Sequence, residues 1–163
     1  PSPMAGQNQP DILFDLRANP GNEFAKPDEA ARFIPGETRR LVGVYLPEPR
    51  SVAFYLESIG GFGVSPDFFS GSPRIDWTLR GGNKDCYPND IIAEASTFIT
   101  ALGSDGPQGI IFQVTGLVAT DYLLEAALVR ASGLSELSGR IRVRTTPWLG
   151  SGVPTPFAGN VIG

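Results

Sequence analysis

Histidine is absent from this 163-residue chain, and cysteine occurs once, at Cys86. The missing imidazole removes Ser-His-Asp and Cys-His catalysis, the common zinc sites and the usual general base near neutral pH. A lone cysteine forms no internal disulfide and no CxxC redox pair, which fits a reducing compartment or a fold that needs no staples. Lysine is scarce, with only Lys26 and Lys84 against eleven arginines. That bias suits fixed bidentate contacts better than a mobile solubilising coat. No apolar run approaches the eighteen or so residues of a membrane span, so no membrane partner is expected. The chain as given shows no signal peptide, and its Pro1-Ser2-Pro3 start fits removal of an initiator Met or of a longer leader. Phosphate-loop and EF-hand patterns are both missing. Carboxylate chemistry of the glycosidase kind survives these exclusions, because it needs only Asp and Glu.

What is present is apolar and frequently interrupted. Hydrophobic residues make up 41% and charged residues 18%, the latter below the roughly 25% usual for globular proteins. Twenty glycines and fifteen prolines break the chain too often for long helices, so short strands and many loops are expected. The net charge of −4 gives no electrostatic reason to bind nucleic acid directly.

Along the chain, residues 1–11 carry three prolines and read as an extended N-terminal arm. Residues 12–16 form a short strand. Pro27 to Phe33 begins with proline and acids, a helix-start pattern that predicts one or two helical turns. Leu41–Leu46 and Ser51–Glu57 alternate with a period of two around Pro47-Glu48-Pro49-Arg50, which predicts a hairpin. Residues 58–73 read as a long loop. Arg74–Arg80 alternates again, placing Ile75, Trp77 and Leu79 on one face. Residues 90–102 and 121–131 fit helix and strand alike. The β-propensity of Ser96–Thr100 favours a strand for 94–102, returning as a hairpin through 110–115. The absence of a favoured face in 121–131 suits a strand buried on both sides. Arg140–Thr146 is a strand with Ile141 and Val143 inward. About seven strands with turn-punctuated spacing predict a single mainly-β sandwich over 12–146, jelly-roll or immunoglobulin-like, with arms at 1–11 and 147–163.

Four constellations carry candidate function. The C-terminal arm has no charge after Arg144 yet contains Trp148, Leu149, Val153, Phe157, Val161 and Ile162 among prolines and glycines. Such a segment needs a surface to lie on, either its own domain or a neighbouring subunit. Arg140, Arg142 and Arg144 form a stripe that fits an acidic partner patch or local pairing with acids such as Glu125. The loop 83–90 is rich in oxygen ligands, but turn chemistry explains it better than calcium. Gly60-Gly61-Phe62-Gly63 lacks the following helix of a phosphate loop, and Phe62, Phe68 and Phe69 read instead as interface anchors.

The expectation is therefore a non-enzymatic protein without cofactor or metal that works by assembling with copies of itself or with other shell proteins. A virus or phage particle component (capsid, decoration or cement protein) fits best, placed in a virion or extracellular assembly. The alternative is a carbohydrate- or surface-binding module that uses Tyr45, Tyr55, Trp77 or Trp148 as platforms. A hydrolase pairing two of Asp67, Asp76, Asp85 and Asp90 is a third reading.

Overall fold

The computed structural model describes residues 10–15, 24–25, 31–47, 50–82, 90–114, 121–134, 136–147 and 156–158. These form β1 (Ile12–Asp15), β2 (Phe24–Ala25), β3 (Ala31–Phe33), β4 (Thr38–Tyr45), β5 (Arg50–Phe62), β6 (Arg74–Gly82), β7 (Asp90–Phe98), β8 (Gly109–Val114), β9 (Asp121–Val129), β10 (Glu136–Pro147) and β11 (Pro156–Ala158). A 3-10 turn at Phe69–Gly71 is the only helical element among the described residues.

Two sheets face one another. One runs β1-β4-β9-β6-β7; the other runs β11-β8-β5-β10-β2, with β3 also pairing on β10. The eight strands β3 to β10 thus lie in the orders β4-β9-β6-β7 and β3-β10-β5-β8. That is the strand order of a jelly roll, two interleaved Greek keys. An immunoglobulin-like sandwich keeps several successive strands side by side. Here, within that eight-strand core, only β6 and β7 are both successive and paired.

The alternation of apolar residues accounts for the core. Ile75, Trp77 and Leu79 from β6 meet Val52, Phe54 and Leu56 from β5 and Ile141 and Val143 from β10, all at most 1% exposed. Phe33 packs edge-on against Trp77 with centroids 5.7 Å apart, and the indole Nε1–H donates to Thr97 Oγ1 at 2.8 Å. Each large side chain buried here contributes roughly 1.5–3 kcal/mol of transfer free energy. Burial on both faces, anticipated for 121–131, holds for β9, where Asp121 to Ala126 are all buried. Hydrogen bonding to β4 and β6 on its two sides overrides the helix preference of its Leu, Ala and Glu residues. The strand expected over 94–102 holds for 94–98 but not for 99–102, which lie in the connection after β7, where Ile99 N–H donates to Pro73 O instead of to a neighbouring strand.

Several expectations are corrected. Strands β4 and β5 do not form a hairpin: β4 pairs with β1 and β9, while β5 pairs with β8 and β10 in the opposite sheet. The same holds for β7 and β8. Alternation reports two-faced strands but not which strand each one pairs with, and burying both apolar faces here sends successive strands to opposite sheets. Ala31–Phe33 is a strand rather than a helical turn, because it pairs with Leu137–Gly139 and buries Phe33; the start of the proposed helix lies outside the described residues. The supposed loop at 58–73 begins later, since β5 continues to Phe62. Gly60 and Gly61 sit inside that strand, and a Cβ on Gly61 would fall 2.6 Å from Val64 Cγ2 and 2.9 Å from Leu102 Cδ1.

One end of the sandwich is laced by backbone hydrogen bonds. Ser65 N–H donates to Gly133 O at 2.7 Å, Ile99 N–H to Pro73 O at 2.9 Å and Gly103 N–H to Ile59 O at 2.8 Å. These bonds join the connections after β5, β7 and β9, so the loops at this end are held as a unit.

Candidate functional site

The hairpin β6–β7 builds a groove on the outer face of its sheet. Its register sets Arg74 opposite Phe98, Asp76 opposite Ser96 and Thr78 opposite Glu94. Because Ile75, Trp77 and Leu79 take the inner face, these six residues line the outer face, where they border a groove of about 650 Å³. Asp76 is held from two sides. Arg74 Nε donates to its Oδ1 at 2.8 Å and Arg74 Nη2 to Oδ2 at 3.4 Å, while Ser96 Oγ donates to Oδ1 at 2.8 Å. Partial burial pushes this carboxyl up, but the hydrogen bonds from Arg74 and Ser96 and the charges of Arg74 and Arg130 outweigh it and hold it below the ordinary aspartate range. The Asp76 side chain nevertheless keeps 37% of its surface open to solvent. Phe98 stands beside this network with 47% of its surface exposed, an unusual state for a phenylalanine.

Further along the same outer face, Arg80 pairs with Glu125 at the centre of the sheet. Beyond that pair, Leu123 and Tyr45 form a small second buried cluster. The opposite sheet carries a smaller groove of about 430 Å³ lined by Tyr55, Glu57, Gln108 and Arg142. There Arg142 lies over the Tyr55 ring, 5.1 Å from its centroid, with Nε 3.3 Å from Glu57 Oε1. At the laced end, Phe68 is fully buried while Phe69, packed edge-on at 4.9 Å, is 40% exposed.

The residues singled out from the sequence are scattered across this framework. Arg140 is exposed on β10 and Arg142 is half-buried, with Ile141 and Val143 inward as anticipated. The acid beside Arg142 is Glu57, not Glu125, which lies in the other sheet. Arg144 sits in β10 opposite Ala53 of β5 and Phe24 of β2. Phe62 closes β5, and Phe157 lies in β11 opposite Gln113 of β8. Of the anchors, Phe68 is core and Phe69 is presented at the surface. Trp148, Leu149, Val153, Val161 and Ile162 lie outside the described residues, as does the loop at 83–89.

Two of the proposed stacking platforms are closed: Tyr45 and Trp77 are 2% and 1% exposed. The guanidinium of Arg142 covers one face of the third, Tyr55, and Trp148 lies outside the described residues. Among the candidate carboxylates, Asp67 sits in the connection after β5 while Asp76 sits on β6, committed to Arg74 and Ser96. Asp85 lies outside the described residues, and Asp90 is the first residue of β7. No group of three or more His, Cys, Asp or Glu side chains that could hold a metal occurs among the described residues. Sequence reasoning missed Glu94, Ser96 and Phe98. Their period-two spacing was visible, but only the β6–β7 register brings them beside Arg74 and Asp76.

Strand order and layer packing define the class of protein: a jelly-roll β-sandwich whose edge strands are supplied in part by segments flanking the eight-strand core. Comparison of the chain with protein-family models, curated proteins and solved structures finds no match.

Proposed function

We propose that this protein is a structural subunit that acts by assembly, a capsid, decoration or cement component of a virus or phage particle. The observation that carries this reading is the use of short flanking segments as edge strands. β1 adds to β4 in parallel, β2 to the end of β10, and β11 to β8. Asp11 reinforces the first of these, since its N–H donates to Arg40 O at 3.0 Å and its carboxylate takes Arg39 Nη2 at 3.1 Å. Strand addition of this kind works equally well between chains, where main-chain hydrogen bonds give affinity and alternate side chains give register. The jelly roll supplies a rigid block of a type used in virus shells. At about 25 cal/mol per Å² of apolar area, an arm burying a few hundred Å² on a neighbour contributes several kcal/mol before ordering costs, and an assembly repeats that contact many times.

The test is the solution mass by light scattering after size exclusion, for the full chain and for a form lacking residues 147–163. A defined oligomer or particle that dissociates on truncation supports the reading. A monomer at every concentration, or an assembly indifferent to the truncation, removes the role given to the C-terminal arm, and the first result also removes self-assembly.

A further inference from the structure

We propose that the groove over β6 and β7 is a binding site for a neutral carbohydrate, with Phe98 as the stacking platform and the Arg74–Asp76–Ser96 network as the hydroxyl-recognition group. The groups proposed to bind the sugar all lie on β6 and β7, so sugar binding is measured independently of assembly.

The groove's chemistry selects among ligand classes. Arg74 lies among two carboxylates, Asp76 and Glu94, and the charge of Arg130 also acts on Asp76, so the two positive and two negative charges leave the groove without net charge. Phosphates, nucleic acid and acidic peptides therefore meet no net positive charge, while among the described residues no second exposed aromatic lines the groove beside Phe98 to cage a cation. A wholly apolar ligand would strip water from Arg74, Asp76 and Glu94 without replacing its hydrogen bonds. A sugar meets both requirements. Its axial C–H groups form an apolar face that suits an exposed aromatic ring, and its hydroxyls donate and accept around its rim.

The polar groups are also prepared for that task. Asp76 accepts from Arg74 and Ser96 within 2.8 Å, so its orientation is fixed before any ligand arrives and little further entropy is lost on binding. Its open surface still offers acceptor lone pairs, and an ionised acceptor makes the stronger class of O–H···O bond. Arg74 keeps donor capacity beyond its two bonds to Asp76, because a guanidinium carries five N–H groups. Thr78 and Glu94 extend the polar floor one row further from Phe98, lengthening the site in the direction of the strands. A volume of about 650 Å³ lies within the range of small-molecule sites.

The experiment titrates the full chain with neutral oligosaccharides of glucose, mannose, galactose, xylose and N-acetylglucosamine up to about 10 mM, following amide shifts by NMR; weak lectin-like sites have millimolar dissociation constants. The expected result is saturable shifts on β6 and β7 with at least one sugar, undiminished by added salt. Phe98→Ala should weaken that binding about tenfold or more, Phe98→Tyr should retain it, and Asp76→Ala should weaken it. Phe69→Ala, which removes the exposed aromatic at the laced end, should leave it unchanged. Shifts with no sugar in the panel overturn the proposal. So does binding that survives Phe98→Ala, maps to the Tyr55–Arg142 groove, or collapses with salt as an ionic contact would.

Discussion

Single side chains in this molecule are constrained most where strands from both sheets meet. Gly139 lies near the start of β10, flanked by β3 and β5. A Cβ there would stand 2.8 Å from Phe33 Cε2 and 3.3 Å from Ser58 O, and neither neighbour can yield easily. The Phe33 ring is wedged against Trp77, and the Ser58 carbonyl belongs to the sheet. Gly139→Ala should therefore destabilise the fold by about 1–3 kcal/mol, the usual cost of overpacking; a urea midpoint equal to wild type would show that the contact is soft. Asp76 gives a prediction in pH. Its carboxyl titrates below the ordinary aspartate range in the folded state, so its contribution to stability is present above the unfolded pKa and disappears as pH falls through the folded one. The urea midpoint of wild type should exceed that of Asp76→Asn at about pH 7 and converge with it near about pH 2. Convergence would fail if the Arg74 and Ser96 contacts contributed equally to the neutral acid.

At the level of elements, stability is concentrated in the strands with partners on both sides. β9 is hydrogen-bonded to β4 and β6 and is buried on both faces, whereas β1, β2 and β11 are outermost strands of two to four residues. Local opening costs least where few contacts are lost. Amide exchange followed by mass spectrometry should find β9 among the slowest segments, exchanging only with global unfolding, and β1, β2 and β11 much faster. Fast exchange throughout β9 would contradict its central place. Element identity was legible for most of the core. The period of two revealed β4, β5, β6 and β10, and the lack of a preferred face in β9 identified a strand covered twice. Ala31–Phe33 was misread because helix-start residues precede it, and a local signal carries no information about the β10 edge waiting for it.

For the whole molecule, the strand order makes nearly every pairing non-local. Within the jelly-roll core only β6 and β7 pair with a successor in sequence, and every other ladder joins strands separated by whole elements. Loop-closure entropy must be overcome before such contacts repay it, so refolding followed by the fluorescence of buried Trp77 should take milliseconds to seconds or longer. Completion within tens of microseconds would be inconsistent with this topology. The same interlocked order holds the β6–β7 groove and the laced loop end on one rigid frame.

Composition and alternation alone determined that this chain is a β-sandwich, that it has no histidine of its own to offer, and which side chains of β6 and β10 face inward. These follow from the missing residue types and from the strand period, both local properties of the chain. The tertiary structure decided what lies beside what: jelly roll rather than immunoglobulin-like order, Tyr45 and Trp77 buried rather than presented, Glu57 rather than Glu125 beside Arg142, and Phe98 beside Asp76. The physical reason is that a strand's pattern specifies which faces must be covered, while the partner that covers them is chosen by packing two whole sheets together.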